Sequence, residues 1–330
     1  MGQSSIFEFM YDTYKITKPV RIIELFAGYG SQHLALTYLG VDVKGHKIVE
    51  WAVPSIQAYK DLHYGDVNTD HTKELTDDEI VNALVEYGIS ANYNEPMTKE
   101  QIKRKGSQWC RNVYNNIKNT NNLVNISNVK ATDLEITETD KYDYIMTYSF
   151  PCQDLSLAGK RLGMDEDSET RSSLLWQVQR LLDELNDLNQ LPQVLLMENV
   201  PQVMAQDNLQ NMEKWDHFLS TLGYKSYIKN LIATDYGIPQ IRNRTFMISI
   251  LGDYSYTFPK PMPLELNLSD MLENKVDEKY YLTNKMIDAF TSHHDKYPRK
   301  ERFIQALKNP NENDVANTIT ARAGQRPTDN

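Results

Sequence analysis

Arg21-Ile22-Ile23-Glu24-Leu25-Phe26-Ala27-Gly28-Tyr29-Gly30-Ser31 is an apolar run that empties into a Gly-x-Gly turn. The run reads as a buried strand. Beyond it Leu34, Leu36, Tyr38 and Leu39 keep helical spacing, and Gly40 ends that helix. Strand, glycine turn and helix make the first βα unit of a nucleotide-type α/β fold. Glycines let backbone approach a ligand closely, and a helix N-terminus offers N–H groups to an anionic end. The pattern is not the dinucleotide fingerprint, because its third glycine would fall at His33.

Working outward, residues 41–49 read as a second strand that ends in Glu50-Trp51. An acid about 20 residues past the glycine turn stands where such folds hold a ribose. Trp51 beside it offers either a flat face to an adenine or a core ring; the order of strand, turn and acid favours the adenosine site. Residues 61–130 read as a helical insertion. Thr76-Asp77-Asp78-Glu79 and Thr98-Lys99-Glu100-Gln101 are capping-box starts, predicting helices over 77–88 and 99–118, with an Asn-rich loop at 115–128. Asp66 and Asp133 both suit contact with an adenine amino group, and Asp133, nearer the next strand, is preferred.

Tyr142-Asp143-Tyr144-Ile145-Met146 reads as a buried strand, followed by Thr147-Tyr148-Ser149-Phe150-Pro151-Cys152-Gln153-Asp154-Leu155-Ser156. Phe150-Pro151 is a rigid bend that presents one thiol at a strand end, where α/β folds keep their chemistry. Residues 154–172 read as a loop able to close over a substrate. Leu174, Leu175, Val178, Leu181, Leu182, Leu185 and Leu188 then make one apolar helix face, which is core. A strand at 192–197 ends in Glu198-Asn199-Val200-Pro201, placing a second acid at a strand end 46 residues past the cysteine (198 − 152). Tyr236-Gly237-Ile238-Pro239-Gln240-Ile241-Arg242-Asn243-Arg244 leads into a strand at 245–251. Arg242 and Arg244, two apart, point the same way in an extended segment.

The 330 residues suffice for one large α/β domain with an appendage. Mean hydropathy is −0.57, and no apolar run approaches the ~20 residues of a membrane span. Two cysteines exclude a disulfide framework and a cysteine-rich metal cluster, so no metal is expected, and the setting expected is a reducing, cytoplasmic one. The N-terminal residues carry no signal or transit pattern. Net charge of −10 argues against sequence-blind wrapping of nucleic acid but leaves room for a local basic cleft. Lys99, Lys103, Arg104, Lys105 and Arg111 cluster within the insertion, and a solvated helix face is the favoured reading of them.

Taken in order, Glu24-Leu25-Phe26-Ala27-Gly28-Tyr29-Gly30, Glu50-Trp51, Pro151-Cys152-Gln153, Glu198-Asn199-Val200 and Gln240-Ile241-Arg242-Asn243-Arg244 make the chain resemble the cytosine-C5 DNA methyltransferases of bacteria and phages. The resemblance covers about residues 20–251. It implies a class I methyltransferase fold, a Rossmann-like doubly wound sheet, with residues 1–251 as the catalytic domain and 252–330 as a partial target-recognition region. It implies that S-adenosylmethionine is held by Phe26, Gly28, Gly30, Glu50, Trp51 and Asp133, with Phe26 and Trp51 around the adenine. Cys152 would be the nucleophile, Glu198 the group on cytosine N3, and Arg242 and Arg244 the charges around the base and the sulfur. Gln153 and Ser156 would belong to the loop that closes over a flipped base of double-stranded DNA.

The chain departs from the family at Ser31, where a third glycine is common. In residues 252–330 the family's late block and its final Gly-Asn segment have no counterpart. Pro259-Lys260-Pro261-Met262-Pro263, a helix-like stretch at 285–294 and Val315-Ala316-Asn317-Thr318-Ile319-Thr320-Ala321-Arg322 occupy that end. Four readings stand: a self-sufficient DNA methyltransferase, the catalytic subunit of a split enzyme completed by a second chain, a tRNA cytosine methyltransferase of similar fold, and an inactive cofactor- or DNA-binding remnant. They are ranked in that order.

Overall fold

The computed structural model describes residues 12–151, 174–281, 283–285 and 315–318. These pack as two units, one from 1–229 with 245–257, the other from 230–244 with 258–330.

The first unit is built on a sheet of order β2-β1-β3-β4-β6-β5 among the described residues. Its strands are β1 (Val20–Leu25), β2 (Val43–Val49), β3 (Asp143–Tyr148), β4 (Val194–Asn199), β5 (Tyr224–Ile232) and β6 (Asn243–Leu251). β2, β1, β3 and β4 run parallel, and β6 pairs antiparallel with β4. The order turns back between β1 and β3, and at such a switch point the carboxyl ends of the strands open a crevice for a ligand. Helix α1 (Ser31–Tyr38) follows β1, and α2 (Val53–His63) follows β2.

Alternation along β1 sorts its side chains. Ile23 and Leu25 join the core built with α6 (Leu175–Asp187) and α7 (Gln206–Thr221), which includes the leucine face and fully buried Trp215. Glu24 between them points to the opposite face, where α2 lies.

The insertion has its own core. Helices α3 (Asp77–Tyr87), α4 (Lys99–Arg104) and α5 (Ser107–Asn119) pack Ile80, Leu84, Ile102, Val113 and Ile117 against Ile56 of α2. Both capping boxes form, at Thr76/Glu79 and Thr98/Gln101. The single helix expected over 99–118 is broken instead, because Gly106 takes φ 88° between α4 and α5. The stretch expected as an Asn-rich loop begins as helix, and its next residues pair with β2: Leu123 N–H donates to Ile48 O at 2.8 Å. Helices α2 and α7 and strand β5 were not anticipated. Of the basic cluster, Lys103 and Arg111 form ion pairs with Asp78 and Asp77 at 2.9 and 2.6 Å, and Lys105 lies over the Trp109 ring, in keeping with a solvated face.

In the second unit a turn over 233–242 is closed by Ala233 N–H donating to Arg242 O at 2.9 Å. Residues 315–316 add a bridge to it, through Ile241 N–H to Ala316 O and Ala316 N–H to Pro239 O. Of the stretch expected as a helix at 285–294, only Lys285 is among the described residues, and it is helical.

Candidate active site

Strand register sets out the site. Leu25 pairs with Val49 and with Tyr148, and Tyr148 pairs with Met197. The next residue on each strand is therefore Glu50, Phe26, Ser149 and Glu198, side by side along the carboxyl edge. With strands ~4.8 Å apart, Glu50 and Glu198 stand about 14 Å from each other across three spacings. One acid sits at each end of the row.

The glycine turn bends off β1 through Phe26 at φ 59°, Gly28 at φ 56° and Gly30 at φ 78°. A positive φ at a phenylalanine is uncommon and costs free energy, which the packing of its ring on the main core offsets. The two glycines serve different ends. A Cβ on Gly28 would meet nothing within 4 Å, so this backbone borders open space. A Cβ on Gly30 would strike the rings of His63 and Tyr59, so that glycine lets the turn lie against α2. Helix α1 starts at Gly30, which has no side chain to cap it; of its first-turn N–H groups, that of His33 is taken by Glu24 Oε1. Gln32 Nε2 donates to Ser149 Oγ at 3.3 Å and ties that turn to the end of β3.

Glu50 is 7 % exposed. Its carboxylate accepts from Gly28 N–H at 2.9 Å and from Ala52 N–H at 2.7 Å. Burial pushes its pKa up to about 7, against the pull of these backbone donors. The acid is thus a brace for the glycine turn. Trp51 packs half-buried against the core of the insertion, and its carbonyl accepts from Ser90 N–H at 2.8 Å.

Asn122 has a place here that sequence reasoning missed. It is 6 % exposed; its Oδ1 accepts from Glu50 N–H and Val124 N–H, and its Nδ2 donates to Glu50 O at 2.9 Å. The parallel bridge between Ile48 and Asn122 brings it there. Val124, a β-branched residue, is held at φ 66° beside it. Asp133, by contrast, caps a short 3-10 helix by accepting from Lys130 N–H at 2.9 Å. The carbonyls of Leu134 and Glu135 next to it meet His46 Nε2, in the middle of β2 and four residues short of Glu50.

At the far end of the row Glu198 lies half-buried beside Phe246 of β6. Asn199 is buried, and its Nδ2 donates to Phe150 O at 3.1 Å, fixing the residue before Pro151. Arg242 and Arg244 belong to the second unit, where both are half-buried and Arg244 Nη1 donates to Asn243 O at 2.7 Å. Cys152, Gln153 and Ser156 lie outside the described residues.

A buried acid on β1 was also missed as a working residue. Glu24 is fully buried and accepts from Tyr59 OH at 2.6 Å and from His33 N–H at 3.3 Å. The available signal was a carboxylate between Ile23 and Leu25 in a buried strand. Among the described residues, no group of three or more His, Cys, Asp or Glu could hold a metal ion, and no helix is long and apolar enough to cross a membrane.

Known proteins are similar to this chain over most of its length. The family model described as C-5 cytosine-specific DNA methylase matches residues 85–329. The orphan methyltransferase M.SssI of Spiroplasma monobiae is 37 % identical over 275 residues, 81 % of this chain and 68 % of its own length. The type II methyltransferase M2.ScrFI of Lactococcus lactis subsp. cremoris is 35 % identical over 275 residues, 81 % of this chain and 71 % of its own. A crystal structure of a Spodoptera frugiperda DNMT2 mutant aligns with TM-score 0.51 and 17 % identity, over 93 % of this chain and 72 % of that one, a likeness of fold.

Proposed function

We propose residue roles from one premise: the chain belongs to the C-5 cytosine-specific DNA methylase family. Its reaction is S-adenosylmethionine-dependent methylation of cytosine at C5 in DNA. The observation that supports the assignment of roles is the row of strand ends from Glu50 to Glu198, with one acid at each end of a single edge; we read the Glu50 end as the cofactor end and the Glu198 end as the base end.

The cofactor end fits its ligand. Open space beside Gly28, the start of α1 at a residue without a side chain, and the buried Glu50 carboxyl suit an amino acid and ribose, and the half-buried Phe26 and Trp51 suit an adenine. In this proposal Phe26, Gly28, Gly30, Glu50 and Trp51 hold S-adenosylmethionine, and Asn122 takes a supporting part by fixing the Glu50 backbone. Asp133 stays assigned to the adenine side as the sequence suggested. When bound, the cofactor supplies an electrophilic methyl group.

At the base end, Cys152 adds as thiolate to cytosine C6, raising electron density at C5. Charge builds at N3 as it does so, and Glu198, half-buried at the end of β4, donates a proton or a strong hydrogen bond there. Arg242 and Arg244 supply positive charge that favours the thiolate. Once C5 carries the methyl group that the cofactor would supply, loss of the C5 proton to a base restores the ring and expels the sulfur. C6 and N3 are out of reach in a stacked duplex, so the target base is flipped at a cost of a few kcal/mol, and Gln153 and Ser156 belong to the segment that covers it.

The proposal extends to a second polypeptide. Tyr38 and Leu39, 80 % and 78 % exposed at the end of α1, support a segment packing there. The DNA substrate supports a cytoplasmic setting.

The test is transfer of a labelled methyl group to unmethylated DNA, with Cys152→Ala and Glu198→Gln alongside. Cys152→Ala should abolish transfer while cofactor binding persists; Glu198→Gln should slow it by about 10²–10⁴-fold. Transfer that survives loss of Cys152 overturns the nucleophile. Full activity of the chain without any added polypeptide removes the second chain.

A further inference from the structure

We propose that His63 is a positioning residue for the glycine turn, holding Tyr29 and Gly30 in the form that receives the cofactor. This rests on the reading of that turn as the S-adenosylmethionine site. His63 closes α2. Its Nε2 lies 2.9 Å from the Tyr29 carbonyl oxygen, and since a carbonyl can only accept, Nε2 carries the proton and donates it.

The His63 ring is held on two sides. It stacks on His33 with centroids 4.4 Å apart and planes 5° from parallel, and it meets Tyr59 at 4.5 Å. Both neighbours are oriented by one buried acid. Tyr59 OH donates to Glu24 Oε2 at 2.6 Å, and His33 N–H donates to Glu24 Oε1. With its single proton committed to Glu24, Tyr59 Oη accepts from His33 Nδ1–H at 3.2 Å. A carboxylate, a phenol and two imidazoles therefore form one fixed stack under the turn.

Gly30 shows how close that stack comes. Any Cβ there would fall inside van der Waals contact with His63 Nε2 and Tyr59 Cε2. The other side of the turn, at Gly28, borders open space. One face of the turn thus rests on His63 and the other faces the ligand. Without the His63 donor the Tyr29 carbonyl loses its partner, and the turn loses the restraint that preorganises it. Preorganisation of a binding loop enters directly into affinity.

The experiment is calorimetric titration of S-adenosylmethionine into the full chain, with a thermal melt of each variant. His63→Phe keeps a ring over His33 and deletes the donor; its Kd should rise about tenfold, the scale of one hydrogen bond. His63→Gln restores an N–H donor and should return Kd to within about threefold of the parent. Should His63→Phe fail to fold, His63→Leu makes the same comparison. Glu50→Ala serves as the control for the site itself. If it weakens binding and His63→Phe does not, the role of His63 falls and the site stands. If His63→Gln binds no better than His63→Phe, returning a donor does not restore the turn, and the proposal falls. If Glu50→Ala binds like the parent, the cofactor site and the role of His63 fall together.

Discussion

The Asn199 amide joins two strand ends: its Nδ2 donates to the Phe150 carbonyl at 3.1 Å while its Oδ1 accepts from Val200 N–H at 2.8 Å. β4 thereby sets the position of the bend that leads into Cys152. Replacing Asn199 with alanine leaves a buried carbonyl without its donor, at a cost of about 1–3 kcal/mol. Asn199→Ala should lower kcat by about 10–100-fold, because small displacements of a nucleophile are costly. Its Kd for S-adenosylmethionine should stay at the parental value, since the proposed cofactor residues follow β1 and β2, two and three strands from β4. Equal losses in kcat and cofactor affinity, read by single-turnover kinetics and calorimetry, would show general damage instead.

The two glycines of the turn should respond differently to alanine. Gly28→Ala puts a methyl group into open space and incurs only the left-handed backbone cost, about 1–2 kcal/mol. Gly30→Ala adds to that cost a clash with His63 and Tyr59. Thermal melts should therefore rank Gly30→Ala well below Gly28→Ala. The reverse ranking would contradict the placement of α2 against the turn.

Asn122 holds both backbone groups of Glu50. Asn122→Ala strands buried polar groups and should cost about 2–3 kcal/mol in stability. It should also weaken S-adenosylmethionine binding through the displaced Glu50, whereas Thr76→Ala, removing the N-cap of α3 in the insertion, should cost about 1 kcal/mol and leave that binding unchanged. Comparing the two by denaturant unfolding and by calorimetry separates a brace of the site from a local cap.

Stability should carry a signature of buried Glu24. Burial pushes its pKa from the ordinary 4.5 up to about 7, opposed by the Tyr59 and His33 donors. Between pH 4.5 and 7 the folded chain keeps a proton that the unfolded chain has released. Stability from this group therefore falls as pH rises through that window. Glu24→Gln cannot titrate. From pH 5 to pH 8 the gap in unfolding free energy between variant and parent should shift towards the variant by about 2.5 kcal/mol, at about 1.36 kcal/mol per unit. Parallel pH curves would mean that Glu24 titrates alike in both states.

Much of the first unit was legible in residues that lie close together in the chain. The run from Arg21 to Ser31 specifies strand, turn and helix start by its own pattern, and the capping boxes at Thr76 and Thr98 formed where their spacing indicated. The break at Gly106 was readable in kind, since glycine there adopts a φ that few other residues tolerate, but helical spacing on both sides masked it. Helix α2 escaped notice because its one buried face, Ile56, Tyr59 and Lys60, mixes polar with apolar residues.

What the sequence alone determined is the list of chemical groups and their order along the chain: Phe26 and the glycines, Glu50 and Glu198 at strand ends, with Cys152 falling outside the described residues. Local patterning suffices for that, because each strand terminates at its own turn residues. Tertiary structure decided which neighbours those groups meet. Parallel register placed Glu50 and Glu198 at opposite ends of one row, and the bridge from Ile48 put Asn122, 72 positions along the chain, onto the Glu50 backbone. It also decided that Gly30 answers to His63 and Tyr59, and Gly28 to open space. Hydrogen bonds and steric contacts between distant segments depend on packing, and packing is fixed only when the whole core forms.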